Sequence, residues 1–167
     1  IIKDNPKVYG QSNVLQEIIK MQYKTGCAEV IYIDQDLSDK EMSDVFKASS
    51  VVVHPYRAEG FAMHVQEAVA CGCIPIISGG GPTDDFISED VGVKLQMQNK
   101  AINITDPSIF ALKPGDASSL MSSHTFIKEP TAEFLDKALK YVYSSHEKEA
   151  MFNKVKEIST LTNWSVV

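Results

Sequence analysis

A strand–helix–strand pattern at the centre of the chain constrains the fold more than any other feature. The uninterrupted β-branched run Val51–Val53 is typical of a strand buried on both faces. Good helix formers follow from Ala62 to Ala70. Gly72 then stands where helices commonly end in left-handed backbone, and residues 74–77 form a second apolar run. This succession is a βαβ unit, so the sequence predicts an α/β fold with a Rossmann-like, doubly wound parallel sheet.

The segments on either side of this unit continue the alternation of strands and helices. We expect one domain over residues 1–167, because that length and 44% hydrophobic composition suit a single core. In the central helix, Phe61, Val65, Ala68 and Val69 are spaced to face the sheet. The further predicted elements are strands at 7–10 and 30–33, helices at 13–24, 38–48, 130–145 and 146–160, a helical turn at 84–87, and hairpin-like or irregular structure at 91–127.

Charge and composition argue against several classes of protein. A net charge of -6 without a basic stripe speaks against a nucleic-acid partner. Three cysteines without a pairing framework indicate reduced thiols in a cytoplasmic protein, and no metal-ligand cluster is evident. No apolar run is long enough to cross a bilayer, so any membrane contact would be peripheral.

The loop before the central helix has the character of an anion site. Ligands of open α/β folds bind beyond the carboxyl ends of the strands, where free N–H groups of a helix N-terminus favour phosphate. Gly60 lacks a Cβ and permits close approach to the backbone. Glu59 and Glu67 flank this position, and carboxylates are good acceptors for sugar hydroxyls. A phosphate between two hydroxyl-bearing rings describes a nucleotide sugar.

Simpler interpretations exist for each of these residues taken singly. Glu59 and Glu67 could be solvated surface residues, and Gly79–Gly81 could be only a tight connection rather than a second backbone approach to the ligand. The joint pattern with Gly60, Gly72 and Pro75 favours a binding site.

The same residues resemble a known family. Glu59-Gly60-Phe61 followed by Glu67–Gly72 resembles the glutamate-pair motif of retaining glycosyltransferases of the GT-B fold, especially family 4, the group 1 type. Gly80–Asp84 is similar to the glycine-rich loop and acidic residue of that family. Asn163-Trp164-Ser165 resembles its C-terminal aromatic signature, with Asn replacing the usual aromatic residue.

The resemblance implies roles for individual residues. Glu59 would be the catalytic residue that contacts the donor sugar, and Glu67 would hold the ribose hydroxyls. Arg57 either braces the diphosphate, in place of an upstream arginine and lysine without counterparts here, or lies on the surface. The implied donor nucleotide-sugar-binding residues are Arg57, Gly60, Phe61, Ala62, Glu67, Gly80 and Gly81.

The resemblance also implies partners. The donor substrate would be a nucleotide diphosphate sugar, with no cofactor and no metal. A carbohydrate or lipid-linked acceptor would be bound mainly by an N-terminal domain that this sequence does not contain, so we expect the chain alone to be inactive in transfer. The alternatives are a Rossmann-like nucleotide-binding module, or half of a nucleotide-sugar epimerase, without transferase activity.

Overall fold

A computed structural model describes residues 1–5, 13–24, 26–102, 125–144 and 147–161. The chain divides into two compact units, residues 1–42 and residues 43–167. The strands and helices, in chain order, are β1 (Ile2–Lys3), α1 (Val14–Gln22), β2 (Tyr32–Ile33), α2 (Asp39–Lys47), β3 (Val51–His54), α3 (Met63–Ala70), β4 (Ile74–Ser78), β5 (Val93–Leu95), β6 (Met97–Ile102), β7 (Thr125–Pro130), α4 (Ala132–Ser144) and α5 (Glu147–Leu161).

The first unit contains a short parallel strand pair, β1 with β2, and helix α1. The strand predicted at 30–33 is shorter than expected, and the one predicted at 7–10 lies outside the described residues. Helix α2 begins at Asp39, close to the predicted residue 38, and a capping box forms at its start. The Ser38 backbone N–H donates to Glu41 Oε2 at 2.8 Å, and the Glu41 N–H donates to Ser38 Oγ at 3.3 Å.

The second unit contains the predicted βαβ motif. Strands β3, β4 and β5 are parallel and lie in that order, and α3 connects β3 to β4. Every residue of β4 is buried, which explains its continuous apolar sequence. A short 3-10 helix at Pro82–Asp85 takes the place of the predicted helical turn. The α/β fold class with a parallel sheet is confirmed.

The core of this unit lies between the parallel sheet and the helices α3, α4 and α5. These helices contribute buried residues to it, and those of α3 have the helical spacing that the sequence predicts. The central members of the core are Val65, Val69, Ile74, Ile76, Ile77, Leu95, Val142 and Val155.

The C-terminal half adds an antiparallel pair, which we call the β6–β7 ribbon. Six residue pairs match Met97–Ile102 with Thr125–Pro130. This pairing agrees with the hairpin-like structure predicted for 91–127, whereas residues 103–124 lie outside the described part. Pro130 ends β7, so helix α4 begins at Ala132 rather than at 130. The Asn163-Trp164-Ser165 signature also lies outside the described residues.

Two expectations about the central helix are wrong. Helix α3 begins at Met63, because Ala62 adopts left-handed backbone with φ of 62°. The resulting turn separates Phe61 from the face of the helix. Phe61 is 52% exposed and packs on the ring of Phe86, with ring centroids 5.7 Å apart. Val65, Ala68 and Val69 are buried as predicted, and Gly72 is left-handed with φ of 98°.

Candidate functional site

A cavity of about 230 Å³ opens at the carboxyl ends of β3 and β4. Its walls are residues 56–59, which follow β3, and residues 78–82, which end and follow β4. The β6–β7 ribbon adds Met97 and Lys128. Because the carboxyl ends of parallel strands are the usual ligand site of open α/β sheets, this is the position at which the sequence predicts a ligand.

The carboxylate of Glu59 lies over the backbone amides that follow it. Glu59 Oε1 accepts hydrogen bonds from the N–H of Gly60 at 2.7 Å and of Phe61 at 3.4 Å, and the Ala62 amide contributes a third. Partial burial alone would raise the pKa of Glu59, but these amides and His54 outweigh it, so the pKa is lowered. The group is therefore a carboxylate at neutral pH. It occupies the amides of residues that the family resemblance implies for donor binding.

Two histidines stand behind this carboxylate. His54 Nε2 lies 3.1 Å from Glu59 Oε2, and the ring of His64 meets that of His54 edge-on at 4.1 Å between centroids. Burial, together with the neighbouring His54, lowers the pKa of His64, and the Glu59 charge opposes this only in part. His64 is thus favoured as a neutral ring that packs against His54.

The glycine-rich loop is closed by its own acidic residue. Asp84 Oδ2 accepts a hydrogen bond from the Gly80 N–H at 2.8 Å, and Asp84 Oδ1 lies 3.0 Å from Lys94 Nζ. Partial burial alone would raise the pKa of Asp84, but Lys94 and the amides of Gly80 and Gly81 outweigh it and lower that pKa. Gly80 has φ of +75°, which a glycine adopts without strain. Asp84 therefore shapes the loop rather than facing a ligand.

Tyr56, which no sequence motif indicated, joins the two walls of the cavity. Its hydroxyl hydrogen-bonds to the carbonyl of Ser78 at 3.1 Å and to Thr83 Oγ1 at 2.6 Å. Ser78 Oγ donates to the Tyr56 carbonyl at 2.6 Å. Gly81 lies so close to the tyrosine ring that an added Cβ would overlap it. Ser78 and Thr83 are fully buried, so these hydrogen bonds fix the spacing between the loops.

Arg57 lies at the cavity wall and is paired with the ribbon. Its Nη2 lies 2.5 Å from Glu129 Oε1, and Lys100 Nζ lies 2.7 Å from the other oxygen of the same carboxylate. The two cations lower the pKa of Glu129. The Arg57 side chain is 61% exposed and also lines the cavity, so its predicted contact with a diphosphate stays a prediction.

A comparison with models of known protein families identifies the chain. The model for group 1 glycosyl transferases matches residues 6–105, more than half of the sequence. The chain belongs to the group 1 glycosyltransferases. The matched segment contains both glutamates, α3 and the glycine-rich loop, and it ends within the residues that follow β6. A search of curated proteins finds no match.

Membership of this family makes the chain a glycosyltransferase domain, and it implies a nucleotide-sugar donor and an acceptor in general terms. The cavity brings together four of the selected residues, namely Arg57, Glu59, Gly80 and Gly81. Gly60, Phe61 and Ala62 adjoin it through their hydrogen bonds to Glu59.

Glu67 is placed apart from the other selected residues of this glycosyltransferase. It lies on α3, is exposed to solvent, and does not line the cavity. Its assignment to the ribose therefore requires a ligand that extends beyond the cavity along the helix.

Metal-ligand clusters and membrane-spanning helices are both absent from the described residues. Within them, no three histidine, cysteine, aspartate or glutamate residues are grouped so that they could hold a metal ion. Among the helices of the same ranges, none is both long and apolar enough to span a membrane.

Proposed function

We propose that this chain is the donor-binding domain of a retaining, metal-independent GT-B glycosyltransferase of family 4. Its ligand would be a nucleotide diphosphate sugar, bound at the carboxyl ends of β3 and β4. The observation that carries this proposal is the position of Glu59, which lies within the family match. Its carboxylate accepts hydrogen bonds from the amides of Gly60–Ala62, and the residue lines the cavity.

The hydrogen bonds of Glu59 support its assignment to the donor sugar. An ionised carboxylate only accepts hydrogen bonds, which suits a ligand that presents hydroxyl groups. In this proposal the donor diphosphate takes the amides of Gly60, Phe61 and Ala62. The Glu59 carboxylate then turns from these amides to the hydroxyls of the sugar. The same residue that covers the anion site in the free domain thus contacts the sugar in the bound one.

The size of the cavity supports a ligand that is only partly enclosed. Its volume of about 230 Å³ is below the roughly 300–1,000 Å³ typical of small-molecule pockets. It suits the diphosphate and part of the sugar. The nucleoside would lie along α3, where Glu67 stands about 6 Å along the helix axis from Met63, the first helical residue. The exposure of Glu67 is consistent with that placement.

We further propose that the acceptor is bound mainly by a second domain outside residues 1–167. Transfer requires an acceptor hydroxyl held close to the anomeric carbon, and such positioning is worth roughly 7–11 kcal/mol. This chain alone is therefore expected to bind donors without transferring the sugar.

Calorimetry with UDP, GDP and ADP and with their sugar conjugates tests the binding proposal. We expect one nucleobase to be preferred, with affinity unchanged by a chelator. A collapse of affinity with the chelator would contradict metal independence. Binding of nucleotides with no response to the attached sugar would favour the simple nucleotide-binding module. Labelled donors with a panel of acceptors test the second-domain proposal, which acceptor-dependent turnover by the chain alone would overturn.

A further inference from the structure

The backbone N–H groups around the cavity already donate hydrogen bonds to acceptors within the chain. The Glu59 carboxylate covers Gly60, Phe61 and Ala62, and the Asp84 carboxylate accepts from the Gly80 and Gly81 amides. In the same glycine-rich loop, the N–H of the first glycine donates to the carbonyl that ends β5. An entering phosphate must therefore displace a carboxylate or meet a cation.

Most cations near the cavity are themselves neutralised. Arg57 and Lys100 share the carboxylate of Glu129, and Lys94 is paired with Asp84. Lys128 differs from these three cations. In the part of the chain that the structure describes, it forms no ion pair, although it lines the cavity. Its ammonium group is the cation most available to an anionic ligand.

The β6–β7 ribbon fixes the direction in which Lys128 points. Lys128 is opposite Asn99 and Pro130 is opposite Met97, so Lys128 and Met97 share one face of the ribbon, and both line the cavity. The Nζ atom lies 2.5 Å from the point where a Cβ on Gly80 would be. A Cβ at position 80 would make this ammonium group shift, so the glycine leaves room for its present position. The glycine-rich loop and the ribbon lysine therefore fit each other.

We propose that Lys128 binds the diphosphate of the donor nucleotide sugar and is its cationic contact in the cavity. This inference rests on the proposed donor-binding function. It goes beyond the family match, because that match ends at residue 105 and the lysine lies on a strand outside it. The chain would thus carry its phosphate-bracing charge on the ribbon.

The chemistry of lysine fits this role. Its ammonium group is a compact point charge with three N–H donors, which can contact oxygens of either phosphate without a fixed geometry. It would also compensate for the negative charge of Glu59, which remains beside the diphosphate after leaving the amides. A bare nucleoside has no phosphate for Lys128 to contact.

The test compares a nucleoside diphosphate with its nucleoside in calorimetry. The probes are UDP, GDP and ADP against uridine, guanosine and adenosine, with the chain of residues 1–167. The variants are Lys128→Met, Lys128→Arg and the matched control Lys140→Met. Lys140 is an exposed helix lysine paired with Asp136, so its variant removes the same charge away from the cavity.

We expect Lys128→Met to weaken diphosphate binding about tenfold to a hundredfold and to leave nucleoside binding unchanged. Lys128→Arg should retain most of the affinity, and Lys140→Met all of it. The difference between wild type and Lys128→Met should shrink as salt is raised. Equal affinity of Lys128→Met and wild type for the diphosphate would overturn the inference, as would equal losses for diphosphate and nucleoside. A wild-type chain that binds none of the three diphosphates would instead contradict the proposed function itself.

Discussion

Glu59 and Gly60 form a local hydrogen bond, in which the Glu59 carboxylate accepts the N–H of the next residue at 2.7 Å. The same carboxylate reaches the amides of Phe61 and Ala62 and the ring of His54. A side chain thus occupies, in the free domain, the backbone donors that the family resemblance assigns to the diphosphate. This relationship changes what removal of Glu59 should do.

We predict that Glu59→Ala strengthens the binding of a nucleoside diphosphate. The substitution frees three amides and removes a negative charge, so affinity should rise by up to about tenfold, or 1.4 kcal/mol. The same variant should lose any additional affinity that the attached sugar provides in wild type. Calorimetry with a nucleoside diphosphate and its sugar conjugate measures both effects.

The matched control for this experiment is Glu133→Ala, which removes an exposed carboxylate from α4. It should change neither affinity. If Glu59→Ala bound the diphosphate no more tightly than this control, the Glu59 carboxylate would not compete with phosphate for the amides.

A second prediction concerns Glu67 and the ribose. Glu67→Ala should weaken nucleoside diphosphate binding about tenfold to a hundredfold, because hydrogen bonds to a charged acceptor are worth about 1.5–3 kcal/mol. The loss should be smaller with the 2′-deoxy nucleotide, since one of the two hydroxyls is then missing in both proteins. Folding should be unaffected, because the side chain is exposed.

Glu149→Ala provides the comparison for Glu67, since it removes another exposed helix glutamate, on α5. A loss in Glu67→Ala that was the same for ribose and deoxyribose nucleotides would argue against a contact with the 2′ hydroxyl.

The central motif could be predicted from sequence because its signals are local. The β-branched run before Pro55, the apolar residues of β4 and the left-handed Gly72 each act over a few residues. The capping box of Ser38 with Glu41 is equally short in range. Local propensity and burial agree in these segments, so the pattern predicts the fold.

The composition of the cavity wall could not be predicted in the same way. Lys128 and Glu129 reach the loops only because β7 pairs with β6 in a particular register, which is set by tertiary structure. Tyr56 lies within the predicted loop, but its role depends on Thr83, 27 residues away. The left-handed backbone of Ala62 also escaped prediction, because an alanine gives no sign of that conformation.

A third prediction follows from the lowered pKa of His64. Burial and His54 place this pKa below the value of 6.5 for the unfolded chain, while Glu59 opposes the shift. Between these two pKa values the unfolded chain binds more protons than the folded chain. The contribution of neutral His64 to the free energy of unfolding is therefore complete above pH 6.5 and is lost as pH falls through the folded pKa. The pKa of Glu59 is lowered from 4.5, so the stability that Glu59 contributes is present above pH 4.5 and is lost only at more acidic pH.

Urea denaturation of wild type and His64→Gln at pH 7.5 and pH 5.5 measures this effect. We expect wild type to lose stability between these two pH values and the variant to lose less, with the slope against urea unchanged. An equal loss in both proteins would show that folding does not lower the pKa of His64.

The last prediction uses two glycines with opposite surroundings. A Cβ on Gly92 would lie 2.5 Å from Pro75 Cγ and 2.6 Å from the Pro75 carbonyl oxygen, at the buried centre of β4. Since overpacking costs about 1–3 kcal/mol, Gly92→Ala should lower the free energy of unfolding by about that amount. A Cβ on Gly60 would meet nothing within 4 Å, so Gly60→Ala should be neutral or stabilise the fold by about 0.4–1 kcal/mol through the unfolded chain. Urea denaturation of both variants measures these changes in the free energy of unfolding. Equal stabilities would mean that β4 and Gly92 can separate without cost, which the close packing of this strand opposes.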